Sequence, residues 1–300
     1  MTPLIPVPEQ AHVSLPNAFN SRAGSRLDLN FTLDGAITRM YVPVQQPPWQ
    51  AIRAFQNSER QAVVHLHNIS GGILSGDRLH LSIHADAFTR AQVTSVGATR
   101  IYRARDDGQS ARLITSIRVA SGALLEYLPD VTIPFRGSRF SQSTTVSLAS
   151  DAGFIGWDIL AAGRIASGEA FSFDTFHSEC SVLSDVRPLS LERYRLKPSL
   201  ADMTSSARWG RFRYTTALYV CHTGVAPSRW IDLESSLNQV AFARSSPAVR
   251  WGVSTLAAGG LIIRGLALEA HQIADGLHMF WKHAKKEIWG EQAIAPRKIN

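Results

Sequence analysis

From about residue 26 to residue 196 the chain alternates apolar and polar positions with a period of two. Leu79, Leu81 and Ile83 alternate with His80, Ser82 and His84, and Leu113, Thr115, Ile117 and Val119 form a second run. In a third, Phe140, Gln142, Thr144, Val146 and Leu148 fall on one side, mixing polar with apolar. Period two over such lengths predicts half-buried β-strands. Gly71-Gly72, Gly97, Gly122, Gly137, Gly153 and Gly168 punctuate the runs as turns. A weak internal repeat lies over the pattern. The stretches from Ser82, Ser116 and Thr145 each read as a strand entering a tight corner of Ala, Ser, Asp or Gly, at offsets of 34 and 29 residues. This spacing suits the stacked strand units of a β-solenoid or superhelix. Similar hairpins recurring by coincidence give the same spacing.

The last third changes character. Residues 198–210 are polar and read as a loop. Ser228 is a candidate cap for a helix starting at Arg229 or Trp230, with Leu233, Leu237 and Val240 spaced along one face. Val249–Ser254 and Gly260–Ala267 read as strands. A longer helix follows, striped by Ile273, Leu277, Phe280, Ala284 and Ile288. The expected architecture is mainly β, a solenoid-like strand superhelix with a few α-helices in the C-terminal third. Residues 1–25 read as an N-terminal extension. Residues 26–300 read as a single domain, with a β core over about 60–196 and a mixed α+β part over about 211–290. The ending from Ala295 through Lys298 reads as an exposed basic tail.

Apolar content of 45% with 18% charged residues is that of a globular chain. Lys and Arg number 31 against 24 Asp and Glu, a formal charge of +7 that favours an acidic partner or a polyanion. The charges are scattered, which disfavours a nucleic-acid-binding tail. Cys180 and Cys221 are the only cysteines, too few for a disulfide framework. The N-terminus lacks the apolar segment of a signal peptide, and no stretch of ~18 apolar residues exists to span a membrane. A cytoplasmic protein is expected.

Familiar chemistry is missing. The Gly71–Leu79 block lacks the Lys-Ser/Thr ending of a phosphate-binding loop, and its glycines suit a sharp turn at positive φ instead. Neither cysteine has a distinguishing context, and there is no Gly-x-Ser-x-Gly. Glu126 with Asp130 offers a remote carboxylate pair for glycoside hydrolysis. His65 and His67 share a strand face, and His271 and His278 a helix face, without a third ligand. More informative are acids placed inside apolar strands: Asp77 at a strand entry, Glu126, Asp158 and Glu192. An inward carboxylate is costly unless it is paired or coordinated. Two readings stay open: ion pairs with the nearby Arg78, Arg164 and Arg193, or a file of weak oxygen ligands for a passing metal ion. The apolar content of the last helix (Phe280, Trp281, Ile288 and Trp289) exceeds what one helix face needs and predicts a partner surface.

Several dense blocks follow one another in a fixed order. The first, Gly71-Gly72-Ile73-Leu74-Ser75-Gly76-Asp77-Arg78-Leu79, is followed by Gly97–Arg103 with Tyr102. Then come Leu125–Asp130 with Glu126, Pro129 and Asp130, and Ile133–Gly137 with Pro134. Gly156–Leu160, Gly163–Phe171 with Gly168 and Glu169, and Leu191–Leu196 complete the series. This succession closely resembles the urease accessory protein D family (UreD, called UreH in some bacteria). It departs from that family at Ser75, where glycine is usual, and at the Lys298-Ile299-Asn300 ending. The resemblance implies a β-strand superhelix that is not itself an enzyme and that helps deliver nickel to apo-urease. It implies partnership with accessory proteins F and G, the latter a nickel-carrying GTPase, and docking onto urease. It also implies an internal tunnel for transient Ni²⁺, with no tightly bound cofactor. By motif position Asp77, Asp158 and Glu192 look like the tunnel-lining acids. The competing expectation is a basic β-solenoid that binds nucleic acid or polysaccharide.

Overall fold

The computed structural model describes residues 24–57, 61–105, 108–185 and 187–295. The N-terminal extension and the basic tail lie almost wholly outside the described residues. The chain opens with a hairpin, β1 (Ser25–Asp34) and β2 (Ile37–Gln45), and two short strands, β3 (Trp49–Gln50) and β4 (Ala54–Gln56). It then winds through β5 (Ala62–Asn68), β6 (Arg78–Ala85), β7 (Arg90–Ser95), β8 (Thr99–Ile101), β9 (Ala111–Val119), β10 (Leu124–Leu128), β11 (Thr132–Pro134), β12 (Arg139–Leu148), β13 (Gly153–Ala161) and β14 (Thr175–Ser184). β15 (Pro188–Leu196), β16 (Tyr214–His222), α1 (Pro227–Arg244), β17 (Val249–Thr255), β18 (Gly260–Ala267) and α2 (Ala270–Trp289) complete it. Within 60–196 the described chain departs from strands and turns only at a 3₁₀ turn, Ile165–Ser167.

Successive long strands alternate between two sheets. The first sheet runs β15-β14-β12-β9-β6-β1-β2, and the second runs β17-β18-β16-β13-β10-β7-β5-β3. The strands that follow one another within each sheet along the winding are parallel, so each turn of the coil lays one strand on each sheet. The internal repeat is the register of this coil: Ser82 pairs with Ser116, and Ser116 with Thr145. Antiparallel strands close the coil, β2 and β15 on the first sheet and β16, β18 and β17 on the second.

Period two turns alternate side chains inward. Leu29, Ile83, Ile117, Val146 and Val182 of the first sheet meet Val64, Val93, Leu125 and Phe154 of the second in one core. The helices cover the other face of the second sheet, with Leu233 and Leu237 of α1 and Ile273, Leu277, Phe280 and Trp281 of α2 packed on Leu124, Ile155, Leu218 and Ile263. A capping box between Glu269 and Gln272 starts α2, and Gly290 at φ 68° ends it. The N-terminus of α1 differs from expectation: Ala226 is its N-cap, and Pro227 occupies the first turn in place of a Ser228 cap. Proline's fixed φ suits that position and needs no donor.

Phe280 and Trp281 are fully buried in the chain's own core, so neither offers a surface to a partner in this fold. Their excess apolar area has an internal cause, because α2 packs against both the second sheet and α1. Each such burial contributes about 2–3 kcal/mol. Ile288 and Trp289 are half-buried, Trp289 lying against the His222 ring and closely over Gly153. Among the described residues no helix is long and apolar enough to cross a membrane.

Candidate functional site: a polar cavity between the sheets

The expected mixture of polar and apolar residues on the inward side of β12 has a consequence. Gln142 and Thr144 point between the sheets, where they join Thr115, Ser178 and Cys180 of the first sheet. Asp130, Asp158, Tyr127 and Tyr219 face them from the other side. Together they line a cavity of about 70 Å³, room for a few waters or a partly hydrated metal ion. A larger open groove of about 520 Å³ lies beside Leu189, Trp230 and Ile231, and among the described residues its charged lining is Asp185 and Arg187.

Asp158 is the ionisable centre of the cavity. Strand parity on β13 turns it to the inter-sheet side with Phe154 and Leu160, away from Ile155 and Trp157, which face the helices. One carboxylate oxygen accepts the Ala217 N–H at 3.1 Å. Asp158 makes no ion pair among the described residues. Burial pushes its carboxyl up to about 6, the Ala217 hydrogen bond opposes the shift and the charge of Glu192 adds to it. The same burial, with Asp158 contributing, pushes the Cys180 thiol up to about 12 and holds the Tyr219 phenol far above its ordinary value. Both are therefore neutral donors at neutral pH.

Glu192 stands next to this group. It pairs in register with Cys180, and one of its oxygens accepts the Tyr219 O–H at 2.5 Å. The other oxygen accepts Nε of Arg264 at 2.8 Å and also its Nη2. The nearby-arginine ion pairs, one of the two readings the sequence leaves open, are not the pairs found. Arg193 pairs with Glu179, and Arg164 with Glu169. Residues adjacent in a strand point to opposite faces, so the arginine following an inward acid points outward.

The structure brings Asp158 and Glu192 together but places Asp77 elsewhere. Asp77 accepts the Leu74 N–H at 2.8 Å while its own N–H bonds the Leu74 carbonyl at 3.1 Å, closing the turn before β6. Partial burial raises its carboxyl pKa. Gly71 and Gly76 adopt φ of 76° and 81°, as this turn requires. Gly72 serves close approach instead: a Cβ there would lie 2.7 Å from the Arg100 carbonyl and 2.5 Å from the Tyr102 ring. Ser75 ties the turn to the next coil by bonding the Gln109 carbonyl at 2.9 Å, and Arg78 is exposed on the outer face.

The remaining motif residues are architectural in placement. The Pro129 carbonyl accepts the Trp157 indole N–H at 2.9 Å. Asp130 exchanges hydrogen bonds with Ser95. Pro134 is buried at the end of β11. Arg164 grips both oxygens of Glu169 beside the Gly168 turn, and this hydrogen bonding brings the Glu169 carboxyl down to about 2. Glu126 is fully buried on the helix side, where Gln61, Gln92 and Trp281 donate to it and Lys285 of α2 lies 2.9 Å away. Glu126 thus faces α2 while Asp130 lines the cavity, so the two do not converge as a hydrolase pair. Among the described residues no three His, Cys, Asp or Glu side chains are grouped to hold a metal.

Sequence reasoning missed Tyr219, Arg264 and Lys285. Inward parity on β16 would have flagged Tyr219, but no local signal pairs Arg264 with an acid 72 residues earlier.

A family model described as "UreD urease accessory protein" matches residues 23–300. A urease accessory protein UreD of Herpetosiphon aurantiacus is 40% identical over 281 residues, 93% of this chain and 97% of its own length. A urease accessory protein UreD of Pseudomonas fluorescens is 32% identical, covering 92% and 94%. A urease accessory protein UreD 2 of Pseudomonas syringae pv. tomato is 34% identical over 230 residues, covering 77% and 78%.

Proposed function

Because the chain belongs to the UreD family of urease accessory proteins, we propose that it serves urease maturation as a conduit for nickel rather than as a catalyst. The cargo is Ni²⁺, and the path runs through the polar space between the two sheets, past Asp158 and Glu192. The observation that carries this reading is the Asp158 carboxylate, turned into a cavity and making no ion pair among the described residues. A buried acid without a counter-ion is unfavourable for the fold, so a transient cation supplies a reason for it. Carboxylate and hydroxyl oxygens hold nickel less tightly than imidazole or thiolate does, which suits an ion that must move on. At neutral pH Asp158 is largely ionised, Cys180 stays a thiol and Tyr219 stays a phenol. The path therefore presents charge at few points and neutral dipoles between them.

In this reading Asp77 shapes the turn that begins the first coil and is not one of the groups along the path. The partners are apo-urease and accessory proteins F and G, the last supplying nickel, in the cytoplasm. The half-buried Ile288 and Trp289 at the end of α2 form part of the surface that meets accessory protein F. The test is maturation in a defined mixture of apo-urease, the accessory proteins and nickel, with and without this chain. Nickel incorporation that depends on the chain is the expected result. Equal incorporation without it overturns the proposal.

A further inference from the structure

Two rows of side chains run in register across the two sheets toward β15, the edge of the first, and β18 of the second. On the first sheet Cys180 is followed across the strands by Glu192. On the second, Asp158 is followed by Ala217 and then by Arg264. Exposure rises outward along these rows: the Glu192 side chain is 24% exposed and that of Arg264 53%. Moving in from solvent one meets Arg264, then Glu192 with Tyr219, then Asp158 and the cavity.

Resting on the conduit reading above, we propose that Arg264 is a gate at a side mouth of the cavity, an internal cation that an entering or leaving divalent ion must displace from Glu192. The closed state is the one in the structure. Both oxygens of Glu192 are occupied by donors, one by Tyr219 and one by the Arg264 guanidinium. The pair is neutral, so the mouth shows no net charge to a metal ion in bulk water. A half-exposed ion pair is weak and exchanges readily with solvent. Arg264 carries its charge on a long tether and swings outward when a doubly charged ion takes the carboxylate. Its guanidinium keeps its charge at any working pH. Tyr219 keeps the vacated carboxylate aimed at the mouth. Its phenol stays protonated through burial and donates to Glu192 from a rigid strand position beside the cavity. The arrangement favours an ion with two charges over one with a single charge, because only the former outcompetes a guanidinium already in place.

The test is equilibrium dialysis of Ni²⁺ against the full chain, with urea unfolding of each variant as a control on the fold. Arg264→Gln removes the internal cation and is expected to bind nickel about five- to tenfold tighter than the parent chain. Arg264→Lys keeps the charge and is expected to stay within about twofold of the parent. Adding Glu192→Gln to Arg264→Gln is expected to abolish the gain. Arg264→Met, which keeps the apolar stem, repeats the test if the glutamine variant unfolds. Equal binding by the Arg264→Gln and parent chains, or none by either, overturns the gate, as does a gain that survives loss of Glu192. Asp158→Asn separates this failure from that of the conduit. If Asp158→Asn weakens nickel binding while Arg264→Gln changes nothing, the gate falls and the conduit stands. If Asp158→Asn is silent while Arg264→Gln tightens binding, the conduit falls and the gate with it.

Discussion

Replacing Asp158 by Asn should make the protein more stable at neutral pH. Asn keeps an oxygen for the Ala217 N–H and removes only the charge. The Asp158 carboxyl titrates at about 6 in the folded chain against an ordinary 3.8. Each unit of difference corresponds to about 1.4 kcal/mol, so the ionised side chain costs the fold up to about 3 kcal/mol. The sign follows from proton linkage. Between pH 4 and 6 the folded state holds more protons at this site than the unfolded state, so stability falls as pH rises through that window. The cost is fully present above about pH 6.5 and absent below about pH 4. Urea unfolding of parent and variant at pH 7.5 and at pH 4 measures it. The expected gain is of order 1–3 kcal/mol at pH 7.5, shrinking toward zero at pH 4. A variant less stable than the parent at pH 7.5 would show that the charge is satisfied within the fold and needs no passing ion.

The remaining predictions concern the frame around the cavity. Lys285→Ala leaves the Glu126 carboxylate without its cation and should cost about 3–5 kcal/mol in urea unfolding, whereas pairing Lys285→Met with Glu126→Leu should restore most of it. Gly72→Ala drives a methyl group against the Arg100 carbonyl and should lower stability by about 1–3 kcal/mol, read as a shift in thermal midpoint. Trp289→Ala should weaken capture of accessory protein F in a pull-down while leaving the chain folded, and undiminished capture would remove that residue from the interface.

Much of the fold is legible in the sequence because period two and the coil are local signals. Leu79, Leu81 and Ile83 do point inward, and the offsets between Ser82, Ser116 and Thr145 are the strand register. The stripe from Ile273 to Ala284 does face a core. The site is only half legible. Parity turns Asp158 and Glu192 inward, and the polar Gln142 and Thr144 mark where the core opens. What such reasoning cannot supply is closure over long sequence distance. Arg264 reaches Glu192, and Trp281 reaches Glu126 155 residues away, only because late strands and α2 fold back over the coil. Proximity in sequence misled in turn, since Arg193, beside Glu192, serves Glu179 on the opposite face.

Nickel content of urease matured with Asp158→Asn in place of the parent chain decides whether the charge at Asp158 carries nickel. Both mixtures contain apo-urease and accessory proteins F and G, and the assembled complex is recovered and quantified from the same sample. A conduit through Asp158 gives a folded variant that assembles at parental yield and leaves urease nickel-poor, with Asp158→Glu, which keeps the charge, restoring nickel. Fully nickel-loaded urease from a soluble, assembled Asp158→Asn complex would contradict it.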